Sequence, residues 1–145
     1  PMTDGFVNMV KLCVGADGVE NLVEWQRQRA ATIAGWRPSH VTRMWPKRAD
    51  AVLAGGSLYW VFKGVILARQ RIVDLEEVRG EDGIARCRLV FDPDVIRTEP
   101  APRRPFQGWR YLDPKESPRD LPKPRGPDHD LPEPLALALA EMGLR

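Results

Sequence analysis

The hydrophobic pattern at the start of the chain predicts one strand followed by one helix. Residues 6–14 (Phe-Val-Asn-Met-Val-Lys-Leu-Cys-Val) alternate as a strand does. After a turn, apolar residues recur at helical spacing over residues 19–34. Asp17 before this segment and Gly35 after it are residue types that favour the two ends of a helix. We therefore expect a long helix directly after the first strand.

The middle of the chain has a β-type pattern. Residues 49–53 predict a short helical turn, and the aromatic and β-branched stretch 57–78 predicts two strands of a hairpin that turns at Lys63–Gly64. Asp82–Gly83 predicts a second turn before a half-buried strand over residues 85–91. Together these segments predict an α+β fold with a mixed, mainly antiparallel sheet.

Prolines indicate where regular structure ends. Residues 39–45 predict a second strand that Pro46 terminates. Ten of the fourteen prolines lie in residues 100–134, so we expect little sheet or helix through most of that region. Its later part, the Pro-rich segment 113–134, is expected to wrap the surface in extended form. Residues 133–143 predict a short C-terminal helix.

Composition adds constraints on the class of protein. A length of 145 residues fits one domain over 1–145, and 43% apolar and 29% charged residues exclude a wholly disordered chain. No apolar run approaches the ~20 residues that span a bilayer, and the first residues carry no export signal. Cys13 and Cys87 are isolated in apolar stretches, which favours buried free thiols. We therefore expect a cytoplasmic protein that does not enter a membrane.

The net charge of +2 conceals a strong asymmetry. Residues 36–72 contain seven Lys or Arg against the single acid Asp50, and residues 97–111 contain four Arg against Glu99. Such segregation favours one positive face, and positive faces attract polyanions. The alternative is that neighbouring acids compensate these charges in space.

Three segments of this basic region also carry aromatic residues, a combination suited to phosphate contacts and base stacking. They lie around residues 39–48, around 59–71, and at 97–111. The alternative places the aromatic rings in the core or under stacked arginines. The residues that we predict to bind nucleic acid or another ligand are His40, Thr42, Arg43, Trp45, Lys47, Arg48, Tyr59, Lys63, Arg103, Arg104, Gln107 and Trp109.

Motifs for specific chemistry are sparse. The chain has no P-loop, no dinucleotide-binding glycine pattern and no nucleophile elbow. Its two histidines, His40 and His129, are far apart, and the two cysteines do not complete a zinc site. We therefore predict no metal and no cofactor, and the sequence does not decide whether the protein is an enzyme.

Four strings resemble a bacterial family: residues 42–48 (Thr-Arg-Met-Trp-Pro-Lys-Arg), 55–61 (Gly-Gly-Ser-Leu-Tyr-Trp-Val), 63–70 and 103–112. The family is domain of unknown function 1489, found mostly in alphaproteobacteria, and the resemblance implies no activity. More weakly, the basic Pro-Lys segment, Gly-Gly, aromatic strand and Ile-Val-Asp-Leu run resemble the PUA-like superfamily with its ASCH and EVE domains.

The PUA-like resemblance implies a small β-barrel that binds RNA or a modified base in a basic, aromatic cleft. Some ASCH members are amidohydrolases that use a Lys, a Thr and a Glu, and the resemblance would put Thr42 and Lys47 at two of these places. The Glu has no counterpart that we can assign. We therefore expect an RNA- or modified-nucleotide-binding domain, monomeric or homodimeric. The alternatives are a small amidohydrolase acting on a modified nucleoside and a protein-interaction module that uses the Pro-rich segment.

Overall fold

The computed structural model describes residues 5–122. The predicted C-terminal helix, His129 and most of the Pro-rich segment lie outside these residues. The elements in chain order are β1 (Asn8–Leu12), α1 (Val19–Thr32), β2 (Ser39–Thr42), α2 (Ala49–Leu53), β3 (Ser57–Phe62), β4 (Val65–Arg79), β5 (Ala85–Phe91), β6 (Ile96–Pro102), β7 (Trp109–Leu112) and a 3-10 turn at Pro114–Glu116.

The seven strands form one mixed sheet in the order β2-β5-β4-β3-β1-β7, with β6 also paired to β4. Only β1 and β3 are parallel among the described pairs, and every other pair is antiparallel. The predicted α+β class and the mainly antiparallel sheet are therefore confirmed.

The hairpin between β3 and β4 turns where the sequence predicts. Lys63 and Gly64 both have positive φ, 51° and 85°. This is the combination that a two-residue hairpin turn with the twist of its strands requires. The predicted second turn is also present, with Gly83 at φ 80°.

β5 and β6 lie end to end along one edge of β4. The β5 pairing runs from Arg79↔Ala85 down to Ile72↔Phe91, and the β6 pairing continues from Arg69↔Ile96 to Val65↔Pro102. A single long strand thus organises most of the sheet.

The expectation of little regular structure after residue 100 is wrong for the end of β6 and for β7. Pro100 lies where the β4–β6 register shifts, between Ala68↔Arg97 and Ile66↔Ala101, and Pro102 is the last residue of its strand. Proline is tolerated at both kinds of position because no regular ladder hydrogen bond is lost.

Helix α1 packs on one face of the sheet through Val19, Leu22 and Gln26. Gly18 is its N-cap and no side chain caps it, so the predicted capping by Asp17 is wrong; the Asp17 carboxylate instead lies 3.9 Å from the Lys63 ammonium group. The core on this face is the larger one. A second cluster on the opposite face contains Val10, Tyr59, Val61, Ile66 and Leu112, with Phe106 packed against it.

The sheet does not close into a barrel, which corrects the barrel alternative. β2 and β7 stand at the two ends of the strand order and do not pair in the described part of the chain. β2 ends at Thr42, three residues before its predicted end, because the Thr42 hydroxyl donates a hydrogen bond to the Met44 carbonyl (2.9 Å) and turns the chain. The loop 43–48 then reaches β7 through side chains instead of a backbone ladder.

Candidate ligand cavity and basic surface

A lysine lies between two tryptophans on the buried face of the sheet. Lys11 in β1 is paired with Trp60 in β3 and with Trp109 in β7. Directly paired residues project to the same face of a sheet, so the three side chains form a row. Residues 7, 9 and 13, which alternate with the same period, are Val, Met and Cys of the main core. Lys11 therefore occupies a core-facing position.

The environment of Lys11 is unusual for a cation. Burial lowers the pKa of its ammonium group from the ordinary value, which the nearby Cys13 partly offsets. None of the ion pairs formed within residues 5–122 includes Lys11. Lys11 stands two residues before Cys13 on the same face of β1 and its continuation, and its charge contributes to lowering the pKa of His40.

His40 faces Trp60 on the inner side of β2. The two rings meet edge to face with their centroids 5.9 Å apart. Burial, and secondarily the charge of Lys11, lowers the pKa of His40 to about 4. The imidazole is thus neutral at pH 7, with one nitrogen that donates and one that accepts a hydrogen bond.

A cavity of about 200 Å³ opens between α1, the end of β1 and β2. Its wall includes the aromatic rings of Trp25, Trp60 and His40, together with the polar side chains of Gln26 and Ser39. No carboxylate is among the residues that line it. The Cys13 thiol also faces the cavity, and burial raises its pKa to about 11, so it is a neutral thiol at pH 7.

The floor of the cavity is fixed by a buried amide network. The side chains of Gln26 and Gln70 bond each other reciprocally, each amide nitrogen donating to the other's oxygen at 3.0 Å. The Trp60 indole nitrogen donates to the same Gln70 oxygen at 3.0 Å, and the Gln70 amide also donates to the Asp92 carbonyl. The orientation of the Trp60 ring is therefore set before any ligand arrives.

Loop 43–48 contacts β7 beside the row of side chains formed by Trp60, Lys11 and Trp109. The Trp109 indole nitrogen donates to the Met44 carbonyl at 3.0 Å. The backbone N–H of Arg48 donates to the Tyr111 hydroxyl at 3.0 Å, and the Arg48 guanidinium lies 5.7 Å from the centre of the Tyr111 ring. The first and third basic segments are thereby in contact.

The second basic segment also meets the third. The backbone N–H of Arg103 donates to the Gly64 carbonyl at 2.8 Å, next to Lys63 in the hairpin turn. The guanidinium groups of Arg103 and Arg110 lie 5.7 and 5.0 Å from the centre of the Phe106 ring. The third segment thus contacts loop 43–48 through Trp109 and Tyr111, which pack with the main core, and the hairpin turn through Arg103. Phe106, with the two arginines over it, packs against the cluster on the opposite face of the sheet.

The family comparison covers almost the whole chain. A family model described as "Protein of unknown function (DUF1489)" matches residues 9–145. The chain belongs to this family. No curated protein and no solved structure matches the chain. The PUA-like resemblance of this DUF1489 protein therefore stays a prediction.

Five of the twelve residues predicted to bind have buried or half-buried side chains in this DUF1489 protein. His40 lines the cavity. Thr42 is buried, and its hydroxyl donates a hydrogen bond to the Met44 carbonyl oxygen. Trp109 is a core residue. Tyr59 is buried in the cluster on the opposite face. Arg103 is half-buried against Phe106.

The other seven predicted residues have exposed side chains. Lys47 faces solvent, and neither Lys47 nor Thr42 lines the cavity. The Thr–Lys pair expected for an amidohydrolase is therefore not part of the cavity. Trp45 exposes 42% of its surface, in the middle of loop 43–48. The exposed set is Arg43, Trp45, Lys47, Arg48, Lys63, Arg104 and Gln107.

The other cations of the DUF1489 protein are of two kinds. No ion pair within residues 5–122 includes Lys11, Arg29, Arg37, Arg71, Lys115 or Arg119, whereas six arginines are paired. Arg27, Arg69, Arg79, Arg86, Arg88 and Arg97 each form an ion pair with a carboxylate. By contrast, no ion pair within residues 5–122 includes the cations of loop 43–48 or of residues 103–110, which are Arg43, Lys47, Arg48, Arg103, Arg104 and Arg110. Lys63 has only its 3.9 Å contact with Asp17.

Three residues in or beside the cavity were not predicted as site residues from the sequence: Lys11, Trp25 and Gln26. One of them had a usable signal. In the alternating segment 6–14, Lys11 stands on the same face as three apolar residues, which is the wrong face for a solvated cation. Nothing in the sequence distinguishes Trp25 and Gln26 from ordinary residues of a helix face.

A membrane-spanning helix is not among the elements of residues 5–122, since none of their helices combines the necessary length and apolar character.

Proposed function

We propose that this protein binds single-stranded nucleic acid, RNA in the first instance, on the basic surface formed by loop 43–48, the turn at Lys63–Gly64 and residues 103–110. The observation that carries the proposal is the concentration of exposed, unpaired cations in loop 43–48. Arg43, Lys47 and Arg48 are all exposed there, and none of them forms an ion pair within residues 5–122. Arg69, Arg79, Arg86 and Arg88 in the sheet have carboxylate partners, whereas Arg71 in β4 and Arg37 before β2 are further cations that form no ion pair within residues 5–122.

Unpaired exposed cations suit a polyanionic ligand. A cation that already has a carboxylate partner must give up that partner to bind a phosphate, whereas a solvated one only releases water and counterions. Arginine adds planar, bidentate recognition of phosphate oxygens. Arg43, Lys47 and Arg48 within one loop therefore supply backbone contacts at little energetic cost.

The exposed ring on the same loop adds stacking. Trp45 lies between Arg43 and Lys47 in sequence and is 42% exposed. Base stacking on aromatic side chains contributes about 1–3 kcal/mol per base and tolerates any sequence. This arrangement favours a single strand, whose bases are free to stack, over a duplex. Both cysteines of the described residues are free thiols, which supports a cytoplasmic location for this binding.

The test is fluorescence-anisotropy binding of short single-stranded RNA and DNA, and of matched duplexes, over a series of salt concentrations. We expect the logarithm of the binding constant to fall linearly with the logarithm of the salt concentration, with a slope of roughly 0.7 per phosphate contact on a single strand. The triple substitution Arg43→Ala, Lys47→Ala, Arg48→Ala should weaken binding and flatten this slope.

The matched control removes the same number of cations that already have partners. Arg79→Ala, Arg86→Ala and Arg88→Ala together change the net charge equally but leave loop 43–48 intact. Equal losses from both triple variants would mean that only net charge matters. Absence of binding to any oligonucleotide at low salt would make the proposal wrong.

A further inference from the structure

We propose that the cavity between α1, β1 and β2 binds a single nucleotide, with its base against Trp60 and Trp25 and its phosphate at the amine of Lys11. The inference deepens the proposed function and rests on it for the class of ligand. The cavity itself is a separate site from the basic surface, which is formed by other residues.

The walls of the cavity fit a planar ring. Trp60 and His40 meet edge to face at 5.9 Å, and Trp25 stands on the helix side of the same space. Two contacts hold Trp25 in place. The Trp36 ring meets it edge to face at 6.0 Å, and the Arg29 guanidinium lies 4.5 Å from its ring centre. Aromatic rings of this kind are the usual partners of a nucleobase outside a duplex.

The size of the cavity limits the ligand to one ring system. Its volume of about 200 Å³ is below the roughly 300–1,000 Å³ of pockets that enclose a drug-sized ligand. One base fits within such a volume, and the remainder of the nucleotide stays at the opening. A longer strand can therefore contribute one base to the cavity while its backbone remains outside.

A cation beside the cavity calls for an anion. Lys11 does not itself line the cavity, but its strand partner Trp60 and Cys13, two residues further along the chain on the same face, both do. Lys11 lies on the core-facing side of β1, half-buried between Trp60 and Trp109, with no carboxylate partner among the described residues. A cation in such a position is costly to keep charged without a counter-ion. Since no carboxylate lines the cavity, an anionic group of a ligand has no competitor there and meets no like charge.

The remaining polar groups suit the edge of a base. His40 is neutral and presents both a donor and an acceptor, and Ser39 adds a hydroxyl group. Gln26 keeps one amide hydrogen beyond the one that it donates to Gln70. Because the network with Gln70 fixes Gln26 and Trp60 in advance, little conformational entropy is lost when a ligand is bound.

The experiment is a titration of the protein with AMP, GMP, CMP and UMP, followed by intrinsic tryptophan fluorescence, and a parallel titration with the four nucleosides. At least one monophosphate should give a saturable change. Its nucleoside should bind about 10- to 100-fold more weakly, which is the factor expected for the loss of one hydrogen-bonded charge contact. Lys11→Met should weaken monophosphate binding by the same factor and leave nucleoside binding unchanged.

Two further variants make the test specific. Lys11→Arg keeps the charge and should retain most of the binding, whereas Lys115→Met removes an exposed lysine remote from the cavity and should change nothing. Circular dichroism establishes that each variant is folded. No saturable response to any of the four monophosphates, or equal binding by the wild type and Lys11→Met, would overturn the proposal.

Competition distinguishes the two sources of the nucleotide. If a monophosphate displaces a bound oligonucleotide, the cavity receives a base of the strand. If it binds without displacing the oligonucleotide, the ligand of the cavity is a free nucleotide. The two proposals also fail separately. If no monophosphate bound in a Lys11-dependent way but oligonucleotides still bound through loop 43–48, only the proposal for the cavity would be wrong. If monophosphates bound through Lys11 but no oligonucleotide bound, only the proposal for the basic surface would be wrong.

Discussion

The backbone carbonyl of Met44 accepts hydrogen bonds from two edge strands at once: from the indole nitrogen of Trp109 in β7 at 3.0 Å, and from the hydroxyl of Thr42 at the end of β2 at 2.9 Å. β2 and β7 are the ends of the strand order and share no ladder in the described sheet. One carbonyl therefore joins the two edges. It also anchors loop 43–48, on which most of the basic surface depends.

Removal of the Trp109 donor should loosen this junction. Trp109→Phe keeps an aromatic ring in the core but leaves the Met44 carbonyl with one donor fewer. We expect the free energy of unfolding to fall by about 1–2 kcal/mol, as for one buried hydrogen bond with some loss of packing. Urea denaturation measures this change, and limited trypsin digestion measures faster cleavage after Arg43, Lys47 and Arg48.

The control for this variant is Trp45→Phe. Trp45 is substantially exposed and donates no described hydrogen bond, so its substitution should alter stability by less than about 0.5 kcal/mol. If the two variants lost equal stability, the Met44–Trp109 bond would not be the cause.

The buried amide network predicts an unequal pair of substitutions. Gln70→Met leaves both the Trp60 indole nitrogen and the Gln26 amide without their partner, whereas Gln26→Met leaves only one side of Gln70 unpaired. Each unsatisfied buried group costs about 1–3 kcal/mol. We therefore expect Gln70→Met to cost about 3 kcal/mol and Gln26→Met about 1–2 kcal/mol in chemical denaturation.

The double variant checks the physical reason. Gln26→Met with Gln70→Met removes both amides, so its cost should be less than the sum of the two single costs. Additive costs would show that the two glutamines stabilise the fold independently.

The sequence predicted features that depend on neighbouring residues and missed those that depend on distant ones. The Lys63–Gly64 turn follows from local chemistry, since glycine accepts positive φ. β7 was missed because its four residues follow a stretch rich in proline, and its pairing with β1 lies about 100 positions away in the chain. The Trp109 contact with Met44, 65 positions apart, has no local signal.

The candidate site was predicted unevenly for the same reason. Clustered charge along the chain identified Arg43, Lys47 and Arg48, and their exposure agrees with that pattern. The aromatic residues were harder, because a tryptophan in a strand suits a core as well as a binding site. Trp109 proved to be a core residue and Trp45 a surface one. Only three-dimensional proximity could bring Lys11 and His40 together.

A methyl group at Gly56 should not be tolerated. A Cβ atom there would lie 2.2 Å from the Val7 carbonyl oxygen and 2.7 Å from that of Val52, and both are backbone atoms that cannot rotate away. Gly56 also donates its N–H to the Val52 carbonyl, which fixes its position at the end of α2. Gly56→Ala should therefore cost at least about 2 kcal/mol, in the range of overpacked sites, by thermal or urea denaturation.

Gly18→Ala provides the comparison. The nearest atom to a Cβ at Gly18 is 4.0 Å away, and its backbone is extended. The only expected cost is that of alanine at an N-cap, under about 1 kcal/mol. Similar losses at the two glycines would mean that the close approach at Gly56 relaxes easily.

The burial of His40 should make stability depend on pH in a defined range. Its pKa is about 4 in the folded protein and about 6.5 in an unfolded chain. Above pH 6.5 the imidazole is neutral in both states. As the pH falls from 6.5 to 4 the unfolded chain takes up a proton that the folded protein does not, so stability is lost over this range. Because His40 is only partly buried, solvent screening limits the loss to about 1–2 kcal/mol.

His40→Gln isolates this contribution. Glutamine stays neutral at every pH, so the difference in the free energy of unfolding between wild type and variant should be constant above pH 6.5 and shrink by about 1–2 kcal/mol by pH 4. Carboxylates such as Asp82 and Asp120, whose pKa values are lowered by Arg86 and Arg69, titrate identically in both proteins and cancel in the difference. A difference that does not change with pH would show that the fold does not lower the pKa of His40, whether by burial or through the charge of Lys11.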